Sequence, residues 1–253
     1  MHQPTSPKTH INRLIAAALR VRLVSDIPER LARSHIPYRL NDRRRERIAV
    51  VRSSGMLFIH VPKNAGTSVC EQLYGQQIKH ETVQYYAKVA PDLLDLPSFA
   101  IMRDPIARFR SAFAYARSGG TRDRRVVPPF AALYGAFDGI DDAIDHLACA
   151  RSPFDIDHIF RPQSWYLTDA EGACRIDRLV SYEALDQLGQ IVGLDRLDDL
   201  PRLNGCSAAP PPLSPSQEAF VKDFYAADFA LWRNACLTTS RISRPCSARR
   251  ATS

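Results

Sequence analysis

Three groups of side chains in this sequence have the types and spacing to work on an anionic group. The first is Pro62-Lys63-Asn64-Ala65-Gly66-Thr67-Ser68. Lysine, glycine and two hydroxyl residues where a helix opens can hold phosphate or sulfate. First-turn N–H groups lack intrahelical partners, and the helix dipole adds positive charge. The ATP-type loop GxxxxGK[ST] has its lysine directly before the hydroxyl residue, whereas Lys63 stands three residues before Gly66. The second group is Arg103 and Ser111, a guanidinium and a hydroxyl that suit another anion. The third is His80 and His158, either of which can take a proton near neutral pH. Each histidine can also be read as a loop residue held by hydrogen bonds. His60, inside the first apolar run, reads as a core-edge residue.

Two strand-to-helix corners must position these groups. Met56 to Val61 is a short apolar run, and Thr67 to Tyr74 carries Val69, Cys70 and Leu73 at helical spacing. Phe99 to Met102 reads as a buried strand ending at Arg103. Asp104 is a helix N-cap and Pro105 suits the first helical position of a helix to Arg117. On that helix Ile106, Phe109, Phe113 and Ala116 share one face, and Arg108, Ser111 and Tyr115 the opposite one. If the two strands are parallel neighbours, both corners fall on the sheet edge where open α/β sheets bind ligands. Two separated anion sites on one edge suit a nucleoside with phosphate at both ends. A third strand is expected over Asp177 to Ser181, with helices over Thr82 to Ala90, Asp138 to Ala148 and Tyr182 to Ile191. A capping box at Ser214 to Gln217 opens a last helix to about Trp232. The fold class expected is α/β. Ser118 to Pro129 is either a substrate-side flap or a plain surface loop.

A chain of 253 residues with 45% hydrophobic side chains can bury a substantial core. The net charge of +7 favours an anionic partner. Arg43, Arg44, Arg45 and Arg47 read as a solvated basic face or flexible arm, and no RNA-binding aromatic motif accompanies them. No specific nucleic-acid partner is expected. The six cysteines form no CxxC pair and no zinc-finger spacing. No run reaches the roughly 20 apolar residues of a membrane helix. Ile11 to Val24 reads as a short basic amphipathic helix with weak membrane-surface contact. Residues 1–52 are expected to be a basic, loosely packed arm with one or two short helices, and 237–253 a basic, disordered tail.

VPKNAGTS followed about forty residues later by RDPIARFRSAFAY resembles the two signatures of the PAPS-dependent sulfotransferases. The carbohydrate sulfotransferases are most similar: the heparan sulfate 2-O- and 6-O- and chondroitin 4-O-enzymes and their small bacterial relatives. His80-Glu81-Thr82, Arg161 to Leu167, Ser181 to Leu185 and Phe224 to Phe229 also resemble that family's later blocks. The resemblance implies a P-loop-like three-layer fold over residues 53–236, with a central, mainly parallel sheet flanked by helices. It implies transfer of a sulfuryl group from PAPS to a hydroxyl of a carbohydrate or glycan, without a metal. Lys63 would lie at the leaving group, with Pro62, Asn64, Ala65, Gly66, Thr67 and Ser68 around the 5′-phosphate. Arg103 and Ser111 would hold the 3′-phosphate. His80, in the HxT position, would be the base, with His158 as the other candidate. Arg161, Gln163 and Trp165 are candidates for contact with the acceptor, and Tyr182 and Asn204 are nucleotide-contacting or structural positions. A P-loop small-molecule kinase and a non-catalytic polyanion-binding protein are the competing functions. Animal members carry a membrane anchor; this chain is expected to be cytoplasmic. Acceptor identity and oligomeric state stay open.

Overall fold

The structure, a computed structural model, describes residues 7–121, 125–198, 200 and 212–242. It is mixed α/β. A small parallel sheet of β1 (Leu57–Phe58), β2 (Ser98–Met102) and β3 (Arg178–Ser181) runs in the order β1-β2-β3 and is flanked by helices. Phe58 pairs with Phe99, and Met102 with Ser181. Every residue of β2 is buried. A central parallel strand covered on both faces needs such a continuous apolar run. Regular pairing of β1 is shorter than the apolar run Met56 to Val61. Ile59 N–H still donates to the Phe99 carbonyl at 3.1 Å before the chain turns away.

Each strand feeds a helical segment. After β1 comes α4 (Gly66–Tyr74), and after β2 comes α6 (Pro105–Arg117), with the short α7 (Phe130–Gly135), α8 (Ile140–Ala148) and α9 (Ser164–Leu167) leading to β3. The Asp104 carboxylate accepts the Ala107 N–H at 2.7 Å, the expected cap. Between α4 and α6, α5 (Val83–Val89) is capped by the Thr82 hydroxyl. After β3 a single helix was expected; a 3₁₀ segment kinked at Ala184 precedes α10 (Leu188–Val192) instead. Ser214 caps α11 (Pro215–Phe224) with the expected box, but the last helix is not continuous. It breaks at buried Tyr225, whose hydroxyl donates to the Phe160 carbonyl at 2.7 Å, and resumes as α12 (Ala226–Ile242) along β3. Residues 237–242 of the expected disordered tail are therefore helical, and 243–253 lie outside the described residues. So do Asn204 and Cys206. The described cysteines Cys149, Cys174 and Cys236 are free thiols.

Two apolar clusters hold these layers. One joins the sheet to α4 and α5 through Phe58, Val69, Leu73, Tyr86 and Phe99. The other lies under α6 and α11 and includes Phe109, Phe113, Phe130, Phe160 and Tyr225.

The N-terminal segment departs from the expectation of a loosely packed arm. It carries α1 (Pro7–Ala18), α2 (Ile27–Arg33) and α3 (Asp42–Ser54). Asp26, Glu29, Ala32, Ile48 and Val51 are all buried. Glu29 accepts from the Thr82 hydroxyl at 2.7 Å, and Arg44 pairs with Glu81 at the same distance. Burial raises the Glu81 pKa, and the Arg44 charge opposes that rise. Polar and basic composition concealed this packing because the charges are satisfied by long-range partners. Among the described residues no helix is long and apolar enough to cross a membrane.

Candidate functional site

The β1–α4 loop is wound tightly. Lys63 (φ 70°) and Ala65 (φ 59°) both take the left-handed conformation, which costs a non-glycine residue about 1–2 kcal/mol. Side chains from elsewhere over-determine the loop. Asn64 Nδ2 donates to the Ile101 carbonyl and to Gln163 Oε1, both at 2.6 Å. Arg108 Nε donates to the Pro62 carbonyl at 3.1 Å, and Arg103 Nη1 to the Lys63 carbonyl at 3.3 Å. Gly66 has a further constraint. A Cβ there would lie 2.1 Å from Cδ2 of His60, whose ring fills the space under the loop. Gly66 is thus required by an imidazole of the chain itself.

Because β1 and β2 are parallel neighbours, Lys63 and Arg103 share one edge of the sheet. Lys63 Nζ lies 4.4 Å from the centre of the Tyr115 ring, on the helix that also carries Ser111. The Arg103 guanidinium lies 4.5 Å from the Tyr182 ring. Burial lowers the Arg103 pKa, with Tyr182 and Glu183 opposing. Among the described residues no carboxylate is within ion-pair distance of Arg103. Ser111 is half-buried and Thr67 is half-buried, whereas Ser68 is buried. Arg108, expected on the polar face with Ser111 and Tyr115, is instead 1% exposed and clamps the loop.

The histidines line up. The His60 and His80 ring centroids are 4.2 Å apart, and those of His80 and His158 5.7 Å. His80 Nδ1 lies 3.0 Å from the His60 carbonyl. A carbonyl can only accept, so Nδ1 carries the proton and Nε2 is the acceptor nitrogen of the neutral ring. His158 Nε2 lies 2.9 Å from Asp26 Oδ1, while its Nδ1 is buried without a hydrogen bond. Asp26, 1% exposed, also receives both terminal nitrogens of Arg161, at 3.1 and 2.5 Å. Burial alone would raise the Asp26 pKa; the His158 hydrogen bond and the Arg161 charge outweigh it and hold the carboxyl at about 2.

The three candidates for acceptor contact are part of the packing. Arg161, 1% exposed, is taken up by Asp26 and the Ile156 carbonyl. Gln163 is fully buried, accepting from Asn64 and the Arg103 N–H and donating to the Arg103 carbonyl at 2.8 Å. Trp165 lies edge-on to Phe154, with the Arg33 guanidinium 3.3 Å from the centre of its ring. Arg161 and Gln163 present no surface to an acceptor, and Asn64 spends its amide donor inside the protein. Arginine and glutamine are usually exposed, so their types gave the opposite expectation.

Sequence reasoning missed Asp26, Arg108, Tyr115 and Asp228 as parts of the site. Asp228, fully buried, accepts the Gln163 and Ser164 N–H groups at 2.7 and 2.8 Å. Burial raises its pKa, and Arg108 opposes this. Asp228 lies within the block Phe224 to Phe229 that resembles the family's, though the resemblance did not single it out; Asp26 has no local signal. Among the described residues no group of three or more His, Cys, Asp or Glu side chains is placed to hold a metal ion. No protein-family model, curated protein or solved structure matches this chain.

Proposed function

We propose that this chain is a PAPS-dependent sulfotransferase acting on a hydroxyl of a carbohydrate or glycan, built on a P-loop-like three-layer fold over residues 53–236. One observation carries the reading. The Lys63 loop and the Arg103 corner lie side by side on the carboxyl edge of a parallel sheet, and among the described residues no carboxylate lies within ion-pair distance of Arg103. A pair of cations with rigid backbone donors fits a ligand bearing several anionic groups.

When bound, the donor supplies an activated sulfuryl group. Lys63, Gly66, Thr67 and Ser68 would hold its 5′ end, and Arg103 and Ser111 its 3′-phosphate. Lys63 stabilises negative charge growing at the leaving oxygen, and the loop contributes fixed N–H dipoles. The clamp of Asn64, Gln163 and Arg108 keeps these donors pointed before the ligand arrives. His80 Nε2 takes the proton of the acceptor hydroxyl. His158 is the less accessible candidate, since its Nε2–H is committed to Asp26 and its Nδ1 is buried.

Thermal denaturation with adenosine 3′,5′-bisphosphate, ATP with Mg²⁺, and heparin tests the proposal. Stabilisation by the bisphosphate, lost in Lys63→Ala and Arg103→Ala, is expected. Stabilisation by ATP with Mg²⁺ alone would make the chain a kinase. Binding to heparin alone, abolished by moderate salt, would make it a polyanion binder.

A further inference from the structure

The N-terminal helix leaves an unusual surface uncovered. α1 is held to the body through Ala16, with Leu19 and Val21 in the turn that follows, against Phe154 and Trp165. The Arg22 N–H donates to the Phe154 carbonyl at 3.3 Å. Elsewhere the helix points away. Ile11 is 56% exposed, Leu14 72% and Ile15 40%. These three recur at i, i+3 and i+4 and form one apolar stripe. Arg13 beside them is exposed, and so are Arg20 and Arg22 just beyond the helix. Between residues 10 and 41 the only acidic side chains are Asp26 and Glu29. Both are buried and engaged with His158, Arg161, Arg33 and Thr82. The outer surface of this segment is therefore apolar and cationic, without an exposed carboxylate among its described residues.

We propose that the outward face of α1 docks on an anionic lipid bilayer surface. Ile11, Leu14 and Ile15 enter the headgroup boundary, and Arg13, Arg20 and Arg22 lie against the lipid phosphates. An apolar stripe flanked by arginine is the pattern of helices that lie in a bilayer interface. Anionic headgroups supply the missing negative charge. A protein partner fits less well, because a stable protein interface needs about 800 Å² per side and three side chains on a 12-residue helix fall short of that. Nucleic acid would use the arginines and leave the apolar stripe in water. This docking is independent of the reaction proposed above.

Co-sedimentation of the full chain with phosphatidylcholine vesicles, with and without phosphatidylglycerol, tests it. The wild-type chain sediments with the anionic vesicles, and salt weakens the binding. Leu14→Glu, at a side chain that makes little packing contact, lowers the bound fraction by about tenfold or more without changing the melting temperature. Arg13→Glu weakens binding to anionic vesicles only. A wild-type chain that stays in the supernatant, or a Leu14→Glu chain that sediments as wild type does, overturns the proposal. So does a lipid-free dimer dissociated by Leu14→Glu, which would give the stripe to a second copy of the chain.

Discussion

Asp26 and His80 divide the polar work of the site between them. Asp26 is a buried carboxylate facing three nitrogens, two of Arg161 and one of His158, and its pKa falls from the ordinary 3.8 to about 2. A folded-state pKa below the unfolded one gives stabilisation that is complete above about pH 4 and fades as the pH falls toward 2. Asp26→Asn should therefore be less stable than wild type near neutrality. That gap should narrow by about 2 kcal/mol between about pH 5 and pH 2, where the wild-type carboxyl also loses its charge. Urea unfolding of both proteins across that range measures it, and a gap that does not change with pH would contradict the ion-pair account. In the proposed reaction His80 has the chemical role. His80→Ala should lower turnover by about a hundredfold or more while leaving bisphosphate affinity near wild type. His158→Ala should mainly lower stability, since it removes a partner from Asp26. Near-normal turnover in His80→Ala would remove this residue from the role of base.

The element that matters most is the β1–α4 loop, because its strain is held by contacts from three other segments. Asn64, Arg103 and Arg108 tie it to β2 and α6, and Gln163 ties both to the segment before β3. Underneath, His60 packs against Gly66 so closely that no side chain fits. Gly66→Ala should destabilise the fold by about 1–3 kcal/mol, the usual range for overpacking. His60→Ala in that background should recover part of the loss, because it removes the atom that the new methyl meets. A double-mutant cycle from thermal or urea unfolding reads this coupling, and strictly additive losses would rule it out. In the proposed reaction this rigidity has a consequence. Donors fixed before a ligand arrives need no reorganisation when charge develops.

On the scale of the whole molecule, the N-terminal segment is part of the body and not an appendage. It supplies the carboxylate for Arg161, the partner of Glu81 and the hydrogen bond to Thr82. A chain beginning at Asp42 would leave the Arg161 guanidinium buried without its carboxylate. Losing one partner of a buried pair costs about 3–5 kcal/mol, set against a total stability of about 5–15 kcal/mol. The shortened chain should therefore lack a cooperative thermal transition and a near-ultraviolet circular dichroism signal. A truncated chain that melts cooperatively would show the segment to be dispensable.

What the sequence determined by itself was local. The strand runs around Phe58, Phe99 and Val180, the caps at Asp104 and Ser214 and the glycine at the helix start were all legible. Backbone preference and side-chain periodicity depend on neighbours a few residues away. The parallel order β1-β2-β3, which sets Lys63 beside Arg103, followed only conditionally from the pattern. Tertiary structure alone decided which polar side chains stay at the surface and which are consumed inside. Arg161 finds Asp26 at a separation of 135 residues, and Asn64 finds Gln163 at 99. A polar group can be buried only where a partner satisfies it, and no local pattern encodes a partner so far along the chain.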